Sequence, residues 1–229
     1  MQQKRLLFIL IASLGVSTLA AGDTATFVDL GFSQDSRIFV FAQYGVQAGT
    51  LRPWAELFVV DVERNNFVSG GRISYVHDVP VIFGQDGSGV FHSILVRNAP
   101  LLQTHQVYHT LQGRPLFIAL DDTDSGEIEF RDFQTGASYR AELVQTVEGS
   151  GASLESSFFI NVRRLAEDGT ENTFVVGTPQ FRRPLVASYR IRQVRVFGDA
   201  VIFVIEMQRQ DGGAASVRFM VEALRRTPF

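Results

Sequence analysis

Short apolar runs separated by turn-forming clusters constrain the fold of this chain more than any other sequence feature. Ile38–Phe41 and Leu57–Val60 consist largely of β-branched and aromatic residues, as is typical of strands buried on both faces. The polar cluster Ser33–Ser36 precedes the first run, and a loop with Gly and Pro, Tyr44–Trp54, separates the two runs. The pattern therefore predicts strands joined by turns and loops.

The second half of the chain continues this pattern. Glu127–Phe133 and Tyr139–Val147 alternate polar and apolar residues, and Val201–Ile205 is a continuous apolar run that predicts a buried strand. Pro100–Gln112 differs, because its apolar residues recur nearer to a helical period and Gly113 follows as a stop. We therefore predict a mainly β fold. It is a single antiparallel β domain, either a sandwich or an incomplete propeller-like meander, with one short helix near 100–112.

The first strands also carry a resemblance to known proteins. Phe32–Arg37 reads Phe-Ser-Gln-Asp-Ser-Arg and Glu56–Val62 reads Glu-Leu-Phe-Val-Val-Asp-Val, which together resemble one blade of a TolB-type β-propeller. Gln34 and Ser36 stand where that blade has Pro and Gly. More closely, the chain resembles a family of predicted secreted bacterial proteins of unknown function (domain of unknown function 2259). The resemblance implies no known activity and no site residues.

The N-terminus has the features of a secretory signal peptide. Lys4–Arg5 supplies the positive charge, Leu6–Val16 is the apolar core, and Thr18–Ala20 has the small residues that signal peptidase recognises. We predict cleavage after Ala20, with Ala21 as the alternative, which leaves 21–229 as one secreted or periplasmic domain. The core is shorter than the roughly 20 residues of a membrane span, which favours a cleaved signal over an uncleaved membrane anchor. No later segment is long enough and free enough of charge to span a membrane, so no transmembrane segment is expected after cleavage.

The composition of the mature chain argues against some classes of binding partner and excludes cysteine chemistry. Cleavage lowers the net charge from −3 to −5, because both charged residues that it removes are basic. A secreted domain with this balance is not expected to bind nucleic acid or anionic lipid through its overall charge. The absence of Cys excludes disulfides and thiol catalysis. The 20 Phe residues predict a large core that holds the fold together.

Two clusters raise the question of a metal site. His105 and His109 would share one face of the predicted helix, but the Glu of the His-Glu-x-x-His zinc motif is missing. Asp121–Asp132 is the densest carboxylate region, yet it puts few carboxylates on calcium-ligand positions and lacks the bidentate Glu. The sequence favours a surface pair and a solvated turn, and we expect no cofactor.

The sequence contains no Gly-x-Ser-x-Gly elbow and no Gly-rich phosphate loop with a following Lys-Ser/Thr. We therefore predict a non-catalytic exported protein that binds a protein or peptide, with an envelope protein as the candidate partner. Tyr44 and Trp54 are candidate binding residues because they flank the long loop and because Tyr and Trp serve well at interfaces. In the other interpretation they pack into the fold. The alternative function is a cofactor-free periplasmic hydrolase whose carboxylates converge only in three dimensions.

Overall fold

The computed structural model describes residues 23–120, 126–211 and 214–225. The predicted signal peptide, 1–20, lies outside these residues, and so does 121–125 of the acidic region. The described residues form antiparallel β-sheets with two helices, which confirms the predicted mainly β fold. A single 3-10 turn, Gly151–Ser153, lies among them.

The element bounds follow the chain in order. The strands before residue 110 are β1 (Thr26–Ser33), β2 (Ile38–Val46), β3 (Pro53–Asp61), β4 (Asn66–Val76) and β5 (Val107–Tyr108). The later strands are β6 (Arg114–Ile118), β7 (Glu127–Arg131), β8 (Ser138–Glu148), β9 (Glu155–Leu165), β10 (Glu171–Val176), β11 (Arg183–Pro184), β12 (Val186–Phe197), β13 (Ala200–Asp211) and β14 (Ala214–Arg225). The helices are α1 (Ser88–Arg97) and α2 (Ala99–Thr104).

The strands form three sheets. The first sheet has the order β4-β3-β2-β1-β5, the second β14-β13-β12-β6, and the third β10-β9-β8-β7 with β11 paired to the start of β9. The blade-like motif of the sequence falls on β1 to β3 of the first sheet. The core clusters join these sheets face to face, so the arrangement is that of a layered sandwich.

Strand β13 lies in the middle layer and is covered on both faces. Ile202 packs among residues of the first sheet such as Phe39, whereas Phe203 packs among residues of the third sheet such as Phe158. Because successive side chains of a strand point to opposite faces, a strand covered on both faces must be apolar at every position. The continuous run Val201–Ile205 meets this requirement, and the predicted buried strand is confirmed.

The outer face of the first sheet is covered by α1 and α2. Val40 and Leu57 of the sheet pack against Phe91 and Ile94 of α1. A Cβ atom on Gly87, just before α1, would lie 2.5 Å from the carbonyl oxygen of Gly45. The glycine therefore allows the start of the helix to approach the sheet closely. Within the described residues no helix is long and apolar enough to cross a membrane.

The prediction of one helix at Pro100–Gln112 is wrong in its extent. Helix α2 ends at Thr104, and Gln106 adopts a positive φ of 52°, which an α-helix cannot continue through. The next residues form β5, which pairs with Phe32 and Ser33 at the end of β1. Backbone pairing with the first sheet therefore overrides the local periodicity, and the longer helix α1 begins at Ser88, before the segment for which a helix was predicted.

Candidate functional site

A cleft opens between the first and second sheets. Its volume is about 620 Å³, within the range of roughly 300–1,000 Å³ that is typical of ligand pockets. Strands β3 and β4 form one wall, β13 and β14 form the opposite wall, and the segment 181–186 around β11 closes one side. The site is thus built from strands that lie far apart in the sequence.

Aromatic rings form much of the lining. The rings of Phe41 and Phe58 stack at 4.6 Å between centroids, and Phe67 stacks on Phe58 at 5.4 Å. Phe181 is 57% exposed on the opposite side of the cleft. Strand alternation places Phe41 and Phe58 on one face of the first sheet, and there they form an apolar floor.

Trp54 and Arg218 also line the cleft and contact each other. The guanidinium of Arg218 stacks over the Trp54 ring and pairs with both carboxylate oxygens of Asp23. Trp54 is only 5% exposed, and its indole Nε1 donates no hydrogen bond to any described residue. A buried donor without a partner is costly, so an acceptor reaching Trp54 would gain a favourable bond.

Arg183 lies between aromatic rings and a buried carboxylate. Its guanidinium lies 4.7 Å from the centroid of the Phe181 ring, and its Nη2 lies 3.4 Å from Glu222 Oε1. Asn65, in the turn between β3 and β4, also donates to Glu222. Burial raises the pKa of Glu222, although the Asn65 hydrogen bond and the charge of Arg183 both oppose this rise. The carboxylate thus holds Arg183 at the cleft wall.

The remaining charges make the cleft cationic. Arg72 is exposed on β4 and makes no hydrogen bond or ion pair with the described residues, and Arg209 adds a fourth guanidinium from β13. Glu56 is the only carboxylate that lines the cleft in the part of the chain that the structure describes, and it accepts a hydrogen bond of 2.7 Å from Gln43 Nε2. A cationic cleft in a chain of net charge −3 is a local departure from the overall charge.

One comparison with known proteins places the chain in a family. The model of the family described as "Predicted secreted protein (DUF2259)" matches residues 40–225. The chain belongs to this family. The matched span includes every residue that lines the cleft, and the family's description confirms the expected secreted localisation. Comparison with curated proteins and with solved structures gave no match.

In this family member the two predicted binding residues do not share a surface. Trp54 lines the cleft, whereas Tyr44 points to the helix side of the first sheet and stacks on Phe91 at 5.5 Å. Tyr44 pairs with Ala55, so Trp54 belongs to the neighbouring pair, whose side chains point to the other face. The loop between them is also shorter than predicted, since β2 extends to Val46 and β3 begins at Pro53. A binding role for either residue stays a prediction.

The residues considered for metal binding lie apart from the cleft. His105 follows the end of α2, and His109 lies beyond β5, where its Nδ1 is 2.7 Å from the carbonyl oxygen of Leu30. Asp132 is buried and accepts a hydrogen bond of 2.7 Å from Arg114. Among the described residues no group of three or more His, Asp or Glu side chains is placed to hold a metal ion.

Sequence reasoning missed the arginines of the cleft. Arg72, Arg183, Arg209 and Arg218 lie on four strands, and no motif connects them. The one available signal was the alternation of Ser216–Val221, which places Arg218 on the same side of the strand as Met220. The alternation shows which residues share a face of β14, but it does not show which residues pack against that face.

Proposed function

We propose that this secreted protein is a non-catalytic binding protein that holds a segment of another protein or peptide in the cleft. The observation that carries the proposal is the open edge of β4 along the cleft. Arg72–Val76 pairs in regular register with Trp54–Phe58 on one side, and no described strand pairs with its other side. An extended segment can add to such an edge through backbone hydrogen bonds.

The side chains of β4 support the same mode of binding. Arg72, Ser74 and Val76 alternate along the strand and line the cleft, so an added strand would place every second side chain in it. Phe67 and Val76 are exposed apolar residues beside this edge. Main-chain pairing would provide affinity, and the cleft would select among side chains.

The lining of the cleft favours binding over hydrolysis. Among the described residues the lining contains one carboxylate, Glu56, and no histidine, so it holds neither a pair of carboxylates nor a carboxylate with a histidine for general acid and base catalysis. The Glu56 carboxylate also accepts a hydrogen bond from Gln43. Because the family is secreted, we infer that the partner is a protein or peptide of the cell envelope or of the surroundings.

Site-specific photocrosslinking in cells tests the proposal. A photoreactive phenylalanine analogue replaces Phe181, which lines the cleft, and the same analogue at Phe133 is the control. Both phenylalanines are exposed, at 57% and 87%, and Phe133 lies outside the cleft. We expect a reproducible adduct at Phe181 that maps to one extended segment of a partner, and none of this kind at Phe133.

A second substitution shows whether such an adduct depends on the cleft. Ser74→Trp places a bulky side chain at an exposed cleft position, so it should abolish the adduct at Phe181 without unfolding the protein. The proposal is wrong if the two positions give the same adducts or if Phe181 gives none. Turnover in a screen of peptide, ester and glycoside substrates would support the hydrolase instead.

A further inference from the structure

Resting on the proposed binding function, we propose that the cleft selects an extended peptide segment whose cleft-facing side chains, every second residue of the segment, are acidic and apolar in turn. The cleft has an excess of positive charge. Among the described residues four guanidinium groups line it, and Glu56 is the only lining carboxylate. Asp23 and Glu222 pair with Arg218 and Arg183, so together with Glu56 they balance three of the four guanidinium charges and leave this group of residues net positive.

The paired arginines can still bind a ligand. A guanidinium has five N–H donors, and one carboxylate uses at most two of them in a bidentate pair. Asp23 and Glu222 therefore hold Arg218 and Arg183 in place, and the carbonyl oxygens of Val217 and Phe181 each accept one further hydrogen bond, so part of the five donors of each guanidinium remains for a ligand. Arg72 differs, because none of its donors is engaged by a described residue. It is the guanidinium that a ligand carboxylate would meet at the open edge.

The cleft also has an apolar lining. Phe67 and Phe181, which are 43% and 57% exposed, line the same cleft as the arginines, so a purely polar acidic segment would leave aromatic surface without a partner. In a strand added to β4, alternate residues face the cleft about 6.8 Å apart. Acidic and apolar groups that alternate among these cleft-facing residues would meet the arginines and the rings in turn.

The placement of the arginines favours side-chain carboxylates over a chain terminus. The guanidinium groups come from β4, β11, β13 and β14, which belong to all three sheets. A terminal carboxylate is usually held at one point by converging backbone N–H groups. A cleft with charges on several strands and an open edge on one side suits the interior of an extended segment.

Two matched peptides test the preference. The acidic probe is acetyl-Ser-Glu-Thr-Phe-Ser-Glu-Thr-Val-Ser-amide, in which the residues of one strand face are Glu, Phe, Glu and Val, and the neutral probe has Gln in place of each Glu. Binding to the full mature protein is followed through the emission of Trp54, which is the only tryptophan in the chain. We expect the acidic probe to bind about tenfold more tightly, since hydrogen bonds to charged groups are the stronger ones. This preference should shrink between about 0.05 and 0.5 M salt.

Arg72→Gln tests the residue at the open edge. It should weaken binding of the acidic probe about three- to tenfold and leave the neutral probe unchanged. Arg131→Gln is the matched control, because Arg131 is also an exposed arginine on an edge strand, β7, away from the cleft. It should leave the binding of both probes as in the unmodified protein.

Each other outcome overturns a stated part of the proposal. Equal affinity for the two probes would refute the acidic preference and leave peptide binding in the cleft standing. Tighter binding of a neutral probe with a free C-terminal carboxylate than of the acidic probe would assign the arginines to chain termini. Binding of neither probe would also refute the acidic segment, whereas the adduct at Phe181 decides separately whether the cleft binds any partner.

Discussion

The guanidinium carbon of Arg218 lies 4.1 Å from the centroid of the Trp54 ring, and its Nη2 donates a hydrogen bond of 2.8 Å to Asp23 Oδ2. Thr24 forms a parallel bridge to Val217, next to this pair. One arginine of the last strand therefore joins the first described residues to β3 and to the cleft.

Arg218→Gln should lower the free energy of unfolding by about 1.5–3 kcal/mol, because the Asp23 carboxylate, 9% exposed, would lose a charged hydrogen-bond partner. Arg218→Lys should lower the free energy of unfolding by less, because it keeps the positive charge and loses only the bidentate hydrogen bonding. Urea denaturation followed by Trp54 emission measures both. Arg163→Gln is the control, because it breaks an exposed pair with Glu171 and should cost less than about 1 kcal/mol. Equal costs at the two arginines would contradict the prediction.

Glu222 should make the protein less stable as the pH rises. Burial raises its pKa in the folded state above the ordinary 4.5, so the folded protein binds this proton more tightly than the unfolded chain does. The stability from this proton is complete below the unfolded pKa and is lost as the pH rises through the folded pKa. Glu222→Gln removes this dependence, so its stability relative to the unmodified protein should increase between about pH 4 and 7.

Urea denaturation across this pH range gives the difference between the two proteins directly. Asp35→Asn is a useful control, since hydrogen bonding with Ser33 lowers the pKa of Asp35 and its contribution has the opposite sign. A stability difference for Glu222→Gln that does not change with pH would contradict the raised pKa.

Gly31→Ala should destabilise the protein by about 2 kcal/mol or more, because strained backbone alone costs on the order of 1–3 kcal/mol. Gly31 has a φ of 96°, and an added Cβ would lie 2.5 Å from the carbonyl oxygen of Tyr108. Gly89→Ala is the matched control within α1, where an added Cβ meets no heavy atom within 4 Å. It should stabilise the protein by about 0.5–1 kcal/mol. Thermal unfolding compares the two, and equal effects would refute the close approach at Gly31.

The double coverage of β13 predicts that two adjacent positions are both costly to truncate. Ile202→Ala should cost about 2–5 kcal/mol and Phe203→Ala about 3–5 kcal/mol, although their side chains enter different clusters. In β8 only one of two neighbours should matter: Leu143→Ala should be costly and Glu142→Ala nearly neutral. Denaturant unfolding measures all four variants. A small cost at either Ile202 or Phe203 would show that one face of β13 is open.

Much of the fold could be predicted from local patterns. Ile38–Phe41, Leu57–Val60 and Val201–Ile205 are continuous apolar runs, and each lies in a strand buried on both faces. The alternation in 127–133 likewise marked β7, which is half-exposed. The helix predicted at 100–112 was too long, because α2 ends at Thr104 and the pairing of β5 with β1 decided the backbone that follows.

The candidate site could not be predicted in the same way. Trp54 was identified from its residue type, but its separation from Tyr44 follows from the pairing register of β2 and β3. The arginines of the cleft lie between positions 72 and 218, and their convergence depends on how three sheets stack.

By itself, the sequence determined the family, the secreted localisation and the strand-rich class, because these depend on residue types and on spacing within a few positions. Only the tertiary structure decided that Arg72 and Arg218 face one cleft, 146 positions apart in the chain. Contacts between sheets depend on strand order, register and layer, and none of these is encoded by a local pattern.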